Sequence, residues 1–359
     1  MTTTTPPPPS DPSSHALRYP DLAALVEQLP WFEHDPSGRI TLRDDAAIGP
    51  IIDFHSHVGP LGRTRRFDYE REGPPARTIF PPTGVPVDLG VHSVVNLMRE
   101  DNARMTAGWL GAVVSPPFGP QTTWTLPNLH AEMAAFGVER SVILAMELPG
   151  NPHISDAYLA AAHRHDDLVP FVCVNPRNRR WEQRMDEYLE RSARGLKVHP
   201  YTMLLASDHP RIMAVLRRWS RTGLPVLFHT ACTGLEPPVL RRLADMGSYE
   251  APLAAFPDTP FVLGHAGLVL VDQAIDYAWR YDNVWLEIDG QPPEHLTRVF
   301  DQVRPDRVLF GTDWPEQPLV LSLAKVLLAT EGLPDVRRRV LHDNAHRLLA
   351  RTEAAAAGA

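Results

Sequence analysis

From Ile51 onward the chain alternates between short, almost continuously apolar runs, rich in β-branched and aromatic residues, and longer segments in which apolar positions recur at helical spacing. The apolar runs are Ile51–His55, Arg140–Ala145, Val169–Val174, Gly195–His199, Pro225–His229, Pro260–His265, Val284–Ile288 and Arg307–Gly311. A run that stays apolar along its whole length reads as a strand covered on both faces. After the second run the intervals, about 25 to 35 residues, fit a strand plus a crossover helix. Eight such units predict an α/β fold, a (β/α)8 TIM barrel. An open, doubly wound sheet is the competing arrangement. It would normally place a phosphate-binding glycine loop after its first strand, where this chain has His55-Ser56-His57.

The alternation is interrupted in three places. Residues 1–20 form a Pro/Thr-rich tail with little to bury, and such a composition cannot offset the entropy cost of ordering. The amphipathic stretch that follows, Asp21–Trp31, packs on the outside of the domain. Between the first two strands, residues 58–139 are rich in Gly, Pro and Arg and form an insertion on the C-terminal face of the barrel. It is either a lid or pocket wall, or a cap that only covers apolar surface. Helical patterns over Leu319–Thr330 and Asp335–Leu349 close a domain spanning 21–350, and the Ala-rich 351–359 frays.

Composition narrows the function classes. The formal net charge is -8, with both signs mixed along the chain, so no basic face exists for a nucleic acid. No run approaches the roughly 18 apolar residues of a membrane span, and the N-terminus lacks a signal-peptide pattern, so a cytoplasmic protein acting on a small molecule, as a monomer or homodimer, is expected. Cys173 and Cys232 lie in apolar runs and read as small buried hydrophobes. Of the 35 basic residues only two are lysines, Lys197 and Lys325. An interior lysine in a chain that otherwise writes Arg therefore carries information.

The polar residues that close the apolar runs carry the chemistry. His55 and His57 end the first strand two apart, project the same way and can share one metal ion. His229 ends the fifth strand, His265 the sixth and Asp313 follows the eighth, and in a barrel these C-terminal ends converge on one mouth. Neutral imidazoles with one carboxylate make a mixed nitrogen and oxygen site suited to Zn²⁺ and tolerant of Mn²⁺, Fe²⁺ or Co²⁺, which lowers the pKa of bound water to about 7. An imidazole off the metal can polarise the substrate or hold the water, and a carboxylate can accept its proton. His265 and Asp313 suit those catalytic roles. Lys197 and His199 share a face of the fourth strand and are candidate substrate contacts, as is Trp314 beside Asp313. Arg63, Arg65 and Arg66 could meet an anionic substrate, and Glu316 and Asp289 are weaker candidates.

The motifs DFHSH, GLKVHP, LFHT, LGHAG and FGTDWP, with the closing Asp343-Asn344-Ala345-His346-Arg347-Leu348-Leu349, resemble the amidohydrolase superfamily. The likeness is to its amidohydrolase-related branch, which also contains non-oxidative decarboxylases similar to aminocarboxymuconate-semialdehyde decarboxylase, and it covers about Ile51–Leu349. The resemblance implies that His55, His57, His229 and Asp313 bind the metal while His265 acts on water or substrate. Some superfamily members carry a carboxylated lysine on the fourth strand that bridges two metals. Lys197 is open to that role, to pairing with a substrate carboxylate, or to burial against Asp53 or Glu287. The reaction expected is hydrolysis of an amide, ester or lactone, with metal-dependent decarboxylation of a small carboxylic acid as the alternative.

Overall fold

The computed structural model describes residues 15–60, 67–79, 81, 85–93, 95, 119–148, 153–232 and 238–357. Arg63, Arg65, Arg66 and the first 14 residues of the tail lie outside these. Eight parallel strands form one sheet in chain order: β1 (Ile51–Ser56), β2 (Val138–Leu144), β3 (Leu168–Val172), β4 (Gly195–Val198), β5 (Val226–His229), β6 (Phe261–Gly264), β7 (Val284–Glu287) and β8 (Val308–Leu309). Helices between successive strands cover the sheet, which is why β3 to β8 are buried at every residue and read as unbroken apolar runs. The architecture is the TIM barrel that the pattern predicts.

Closure between β1 and β8 is made largely by the segment after β8. Phe54 N–H donates to the Phe310 carbonyl (2.9 Å), Asp313 N–H to the His55 carbonyl (2.8 Å) and His57 N–H to the Trp314 carbonyl (2.7 Å). Beneath them the buried Asp53 carboxylate accepts from Thr312 Oγ1 (2.7 Å), Thr312 N (3.1 Å) and His55 N (3.0 Å). Alternate strand residues, among them Phe54, Phe171, Leu227, Val262, Trp285 and Leu309, form an inner cluster separate from the larger outer core. Ala345, Leu348 and Leu349 of the closing helix Asn344–Ala357 join that inner cluster. This helix packs against β1 and against the start of β8, where Asn344 Nδ2 donates to the Pro305 and Val308 carbonyls, and so plugs the N-terminal end of the barrel.

Three segments differ from the sequence reading. Arg18–Tyr19, assigned to the tail, pairs antiparallel with Val87–Asp88, because Tyr19 finds an apolar site that buries it. The last part of the 58–139 insertion is an ordinary crossover helix, Leu126–Phe136, which buries Leu126, Leu129, Met133 and Phe136 along one face and ends at Gly137 with φ of 67°. The closing helix runs on to Ala357 rather than fraying at 351. Among the described residues no helix is long and apolar enough to cross a membrane.

Candidate active site

The strand ends bring His55, His57, Lys197, His199, His229, His265 and Asp313 to one mouth, as the sequence predicts, and add Glu287 and Asp289 from the end of β7. His57 Nδ1 donates to the Leu144 carbonyl at 2.8 Å. A carbonyl can only accept, so the proton sits on Nδ1 and the lone pair on Nε2, which faces Asp313 Oδ1 at 3.3 Å. His55 Nδ1 donates to Glu287 Oε2 at 2.6 Å, and its Nε2 faces Asp313 Oδ1 at 3.6 Å. Glu287 is marked as an acceptor by two further donors, the backbone N–H of His265 (3.1 Å) and of Asp289 (2.6 Å). Ligand atoms of His55, His57 and Asp313 thus lie within 4.8 Å of one another. Two imidazole lone pairs and a carboxylate oxygen gathered at one point, with Lys197 Nζ 3.3 Å from His55 Nε2, are an arrangement that a cation completes.

His229 stands beside this group rather than within it. Its Nδ1 lies 2.9 Å from His265 Nε2, and its ring stacks on His199 at 4.2 Å between centroids with planes 10° apart. His229 Nε2 and His199 Nδ1 are buried with no hydrogen-bond partner among the described residues. Buried polar atoms are normally paired, so orphaned imidazole nitrogens at a strand-end mouth are a signature of a ligand site. Burial, reinforced by Lys197 and neighbouring imidazoles, lowers His55, His199 and His229 well below the ordinary histidine value. These rings are therefore neutral and can coordinate at neutral pH.

His265 is oriented from behind: its Nδ1 donates to Asp289 Oδ1 at 2.6 Å, and its carbonyl accepts from Gln291 Nε2 at 2.6 Å. That places the proton on Nδ1 and leaves Nε2 to accept from His229 Nδ1–H at 2.9 Å. Lys197 is fully buried, with Nζ 3.3 Å from His55 Nε2. Burial pushes its ammonium down to about 8, against the pull of Asp313, Glu287 and Asp289. Trp314 is 1% exposed and packs in the outer core, while its backbone carries the closure bond to His57.

Gly311 makes room for this arrangement, since a Cβ there would collide with Glu287 Oε1 and lie 2.8 Å from His55 Cβ. The sequence reading gave Asp289 little weight and Glu287 none beyond a partner for Lys197. The available signal was spacing: Glu287-x-Asp289 ends β7 just as His55-x-His57 ends β1.

A family model described as amidohydrolase matches residues 52–351, and no curated protein matches the chain. Solved structures of similar shape include an uncharacterised TIM-barrel protein from Bordetella bronchiseptica (22% identity, 85% of this chain and 100% of that one, TM-score 0.61). Another is 5-carboxyvanillate decarboxylase from Sphingomonas paucimobilis (15% identity, 84% and 99% covered, TM-score 0.60). A third is a probable 2-pyrone-4,6-dicarboxylic acid hydrolase from Acinetobacter baumannii (12% identity, 84% and 99% covered, TM-score 0.54). At such identities they share the fold, while their chemistries differ. The family match runs from β1 into the closing helix and takes in every strand end that supplies the mouth: the chain belongs to the amidohydrolase family.

Proposed function

We propose that the protein is a metal-dependent hydrolase of a small amide, ester or lactone. The observation that carries this reading is the convergence of the His55 and His57 lone pairs with the Asp313 carboxylate beside an independently oriented His265. His55, His57, Asp313 and His229 would hold a divalent cation, Zn²⁺ first and Mn²⁺, Fe²⁺ or Co²⁺ as substitutes, since the donors are borderline nitrogens and one hard oxygen. When bound, the cation supplies Lewis acidity and lowers the pKa of water. Asp313, the one carboxylate in the group, is placed to accept a proton. His265, with Asp289 fixing its tautomer, would move a proton at Nε2 to or from a substrate that takes the place of the His229 contact there. His199 and Lys197 flank the mouth as substrate contacts.

One observation favours a second reading, non-oxidative decarboxylation. Lys197 puts a buried cation beside the same group, where a substrate carboxylate could pair with it, and the similar 5-carboxyvanillate decarboxylase is named for that reaction. Incubating zinc- or manganese-loaded protein with panels of lactones and esters, and separately of aromatic carboxylic acids, separates the two. Acid release without carbon dioxide supports the hydrolase. Carbon dioxide from the acids alone overturns it in favour of the lyase, and inertness of protein that retains less than about 0.2 equivalents of metal removes both.

A further inference from the structure

The end of the barrel opposite the mouth carries a second group of metal-binding side chains. Glu139 is the second residue of β2; His342 lies in the π-helical turn Arg339–Asp343 that leads into the closing helix, and His346 one turn on, in the first turn of that helix. Residues at i and i+4 stand one above the other on a helix, and the two rings here are nearly parallel, 5.4 Å between centroids with planes 21° apart. His342 Nε2 lies 2.9 Å from Glu139 Oε1, and one ligand atom from each of the three residues falls within 4.8 Å of the others.

The second nitrogen of His342 is also engaged. Its Nδ1 faces Asp343 Oδ1 at 3.0 Å, so both ring nitrogens meet carboxylate oxygens, and a cation at Nε2 would take the place of the proton shared with Glu139. A carboxylate behind an imidazole whose other nitrogen faces a second acid is how metal-bound histidines are commonly oriented. The other oxygen of Asp343 is taken by Arg338 Nε at 3.3 Å, so Asp343 orients and does not compete as a ligand. Glu139 and His346 are exposed, which leaves the group open to ions from solvent. A plain salt bridge would explain the His342–Glu139 contact but gives His346 no part.

We propose that Glu139, His342 and His346 form a second divalent-metal site, taking Zn²⁺ with water in the remaining position. Donors on a tetrahedral zinc ion sit roughly 3.3 Å apart, so the group closes by about 1.5 Å at most, within reach of exposed side chains. The ion would pin the closing helix, and with it the barrel plug, to the start of β2. Neither this site nor its test depends on what the mouth binds.

The test uses chelator-stripped full-length protein, with zinc uptake measured by equilibrium dialysis and elemental analysis and thermal unfolding followed with and without Zn²⁺. Wild type is expected to bind one equivalent more than His346→Ala, and the zinc-induced rise in Tm should shrink in the variant. His57→Ala, which disables only the mouth, should retain this equivalent and lose it on adding His346→Ala. Glu139→Gln keeps an acceptor for His342 yet should weaken zinc binding about tenfold or more. Equal zinc uptake by wild type and His346→Ala up to about 100 µM overturns the proposal. So does a Glu139→Gln variant that is less stable yet binds zinc unchanged, since that is the signature of a salt bridge alone.

Discussion

Asp289 acts on the reacting region chiefly through His265, whose Nδ1 it holds at 2.6 Å against 3.8 Å to His55 Nδ1, and its effect should be separable from binding. Replacing it with Asn keeps an acceptor for Nδ1–H but removes the charge that holds the tautomer. Asp289→Asn is expected to lower kcat by about 10- to 100-fold with little change in KM and full metal content. His265→Ala should cost about 10² to 10⁴ in kcat, again with metal retained. If either variant is isolated without metal, His265 is a ligand rather than a proton carrier. His55, His57, His229, His265 and Asp313 were legible because each interrupts or follows an apolar run at a strand end. Glu287 and Asp289 were harder to see, because an acid after a strand is equally common as a helix cap, and only the fold shows that these two are buried behind His55 and His265.

At the scale of elements, all eight strands could be read from the chain, since burial on both faces leaves no polar alternation to confuse them with surface structure. The helix Leu126–Phe136 could not, because the Gly- and Pro-rich segment before it masked the change of period. Two buried ties hold elements around the site. Thr312→Val removes the hydroxyl that bonds Asp53 at 2.7 Å and leaves a buried carboxyl short of a donor. It should cost about 1 to 3 kcal/mol of unfolding free energy in chemical denaturation, and a loss under about 0.3 kcal/mol would mean that Asp53 finds another partner. Lys325, in the helix Leu319–Ala329, donates to Gly290 O (2.8 Å), Ser93 Oγ (2.9 Å) and Val91 O (3.0 Å), fixing the turn that follows Asp289. Burial pushes its ammonium down from 10.5 to about 7. Between those values the unfolded chain binds a proton that the folded chain does not, so this contribution rises with pH and is lost as pH falls through about 7. The stability difference between wild type and Lys325→Met should therefore move in favour of wild type from pH 7 to pH 9, by up to ~1.4 kcal/mol per unit. Parallel pH dependences would show that Lys325 titrates normally.

Across the whole molecule, the residues of the mouth are drawn from nearly the full length of the domain, yet they meet where the sheet is least continuous. β8 is two residues long, and β1 is held to its far side mainly by three backbone bonds and the Asp53 clasp. All eight strands would keep their seven other pairings if that join opened, but His55 and His57 would part from Asp313. Such sub-global openings cost less free energy than complete unfolding. On mild heating or in low denaturant, the amides of Phe54, His57 and Asp313 should exchange with solvent before those of β4 to β6. Bound metal and turnover should disappear while far-ultraviolet circular dichroism is still native, and coincident curves for the two would count against this weak join. The protein would then have two lifetimes, one for its shape and a shorter one for its chemistry, with a bound ion serving as the rivet that brings them together.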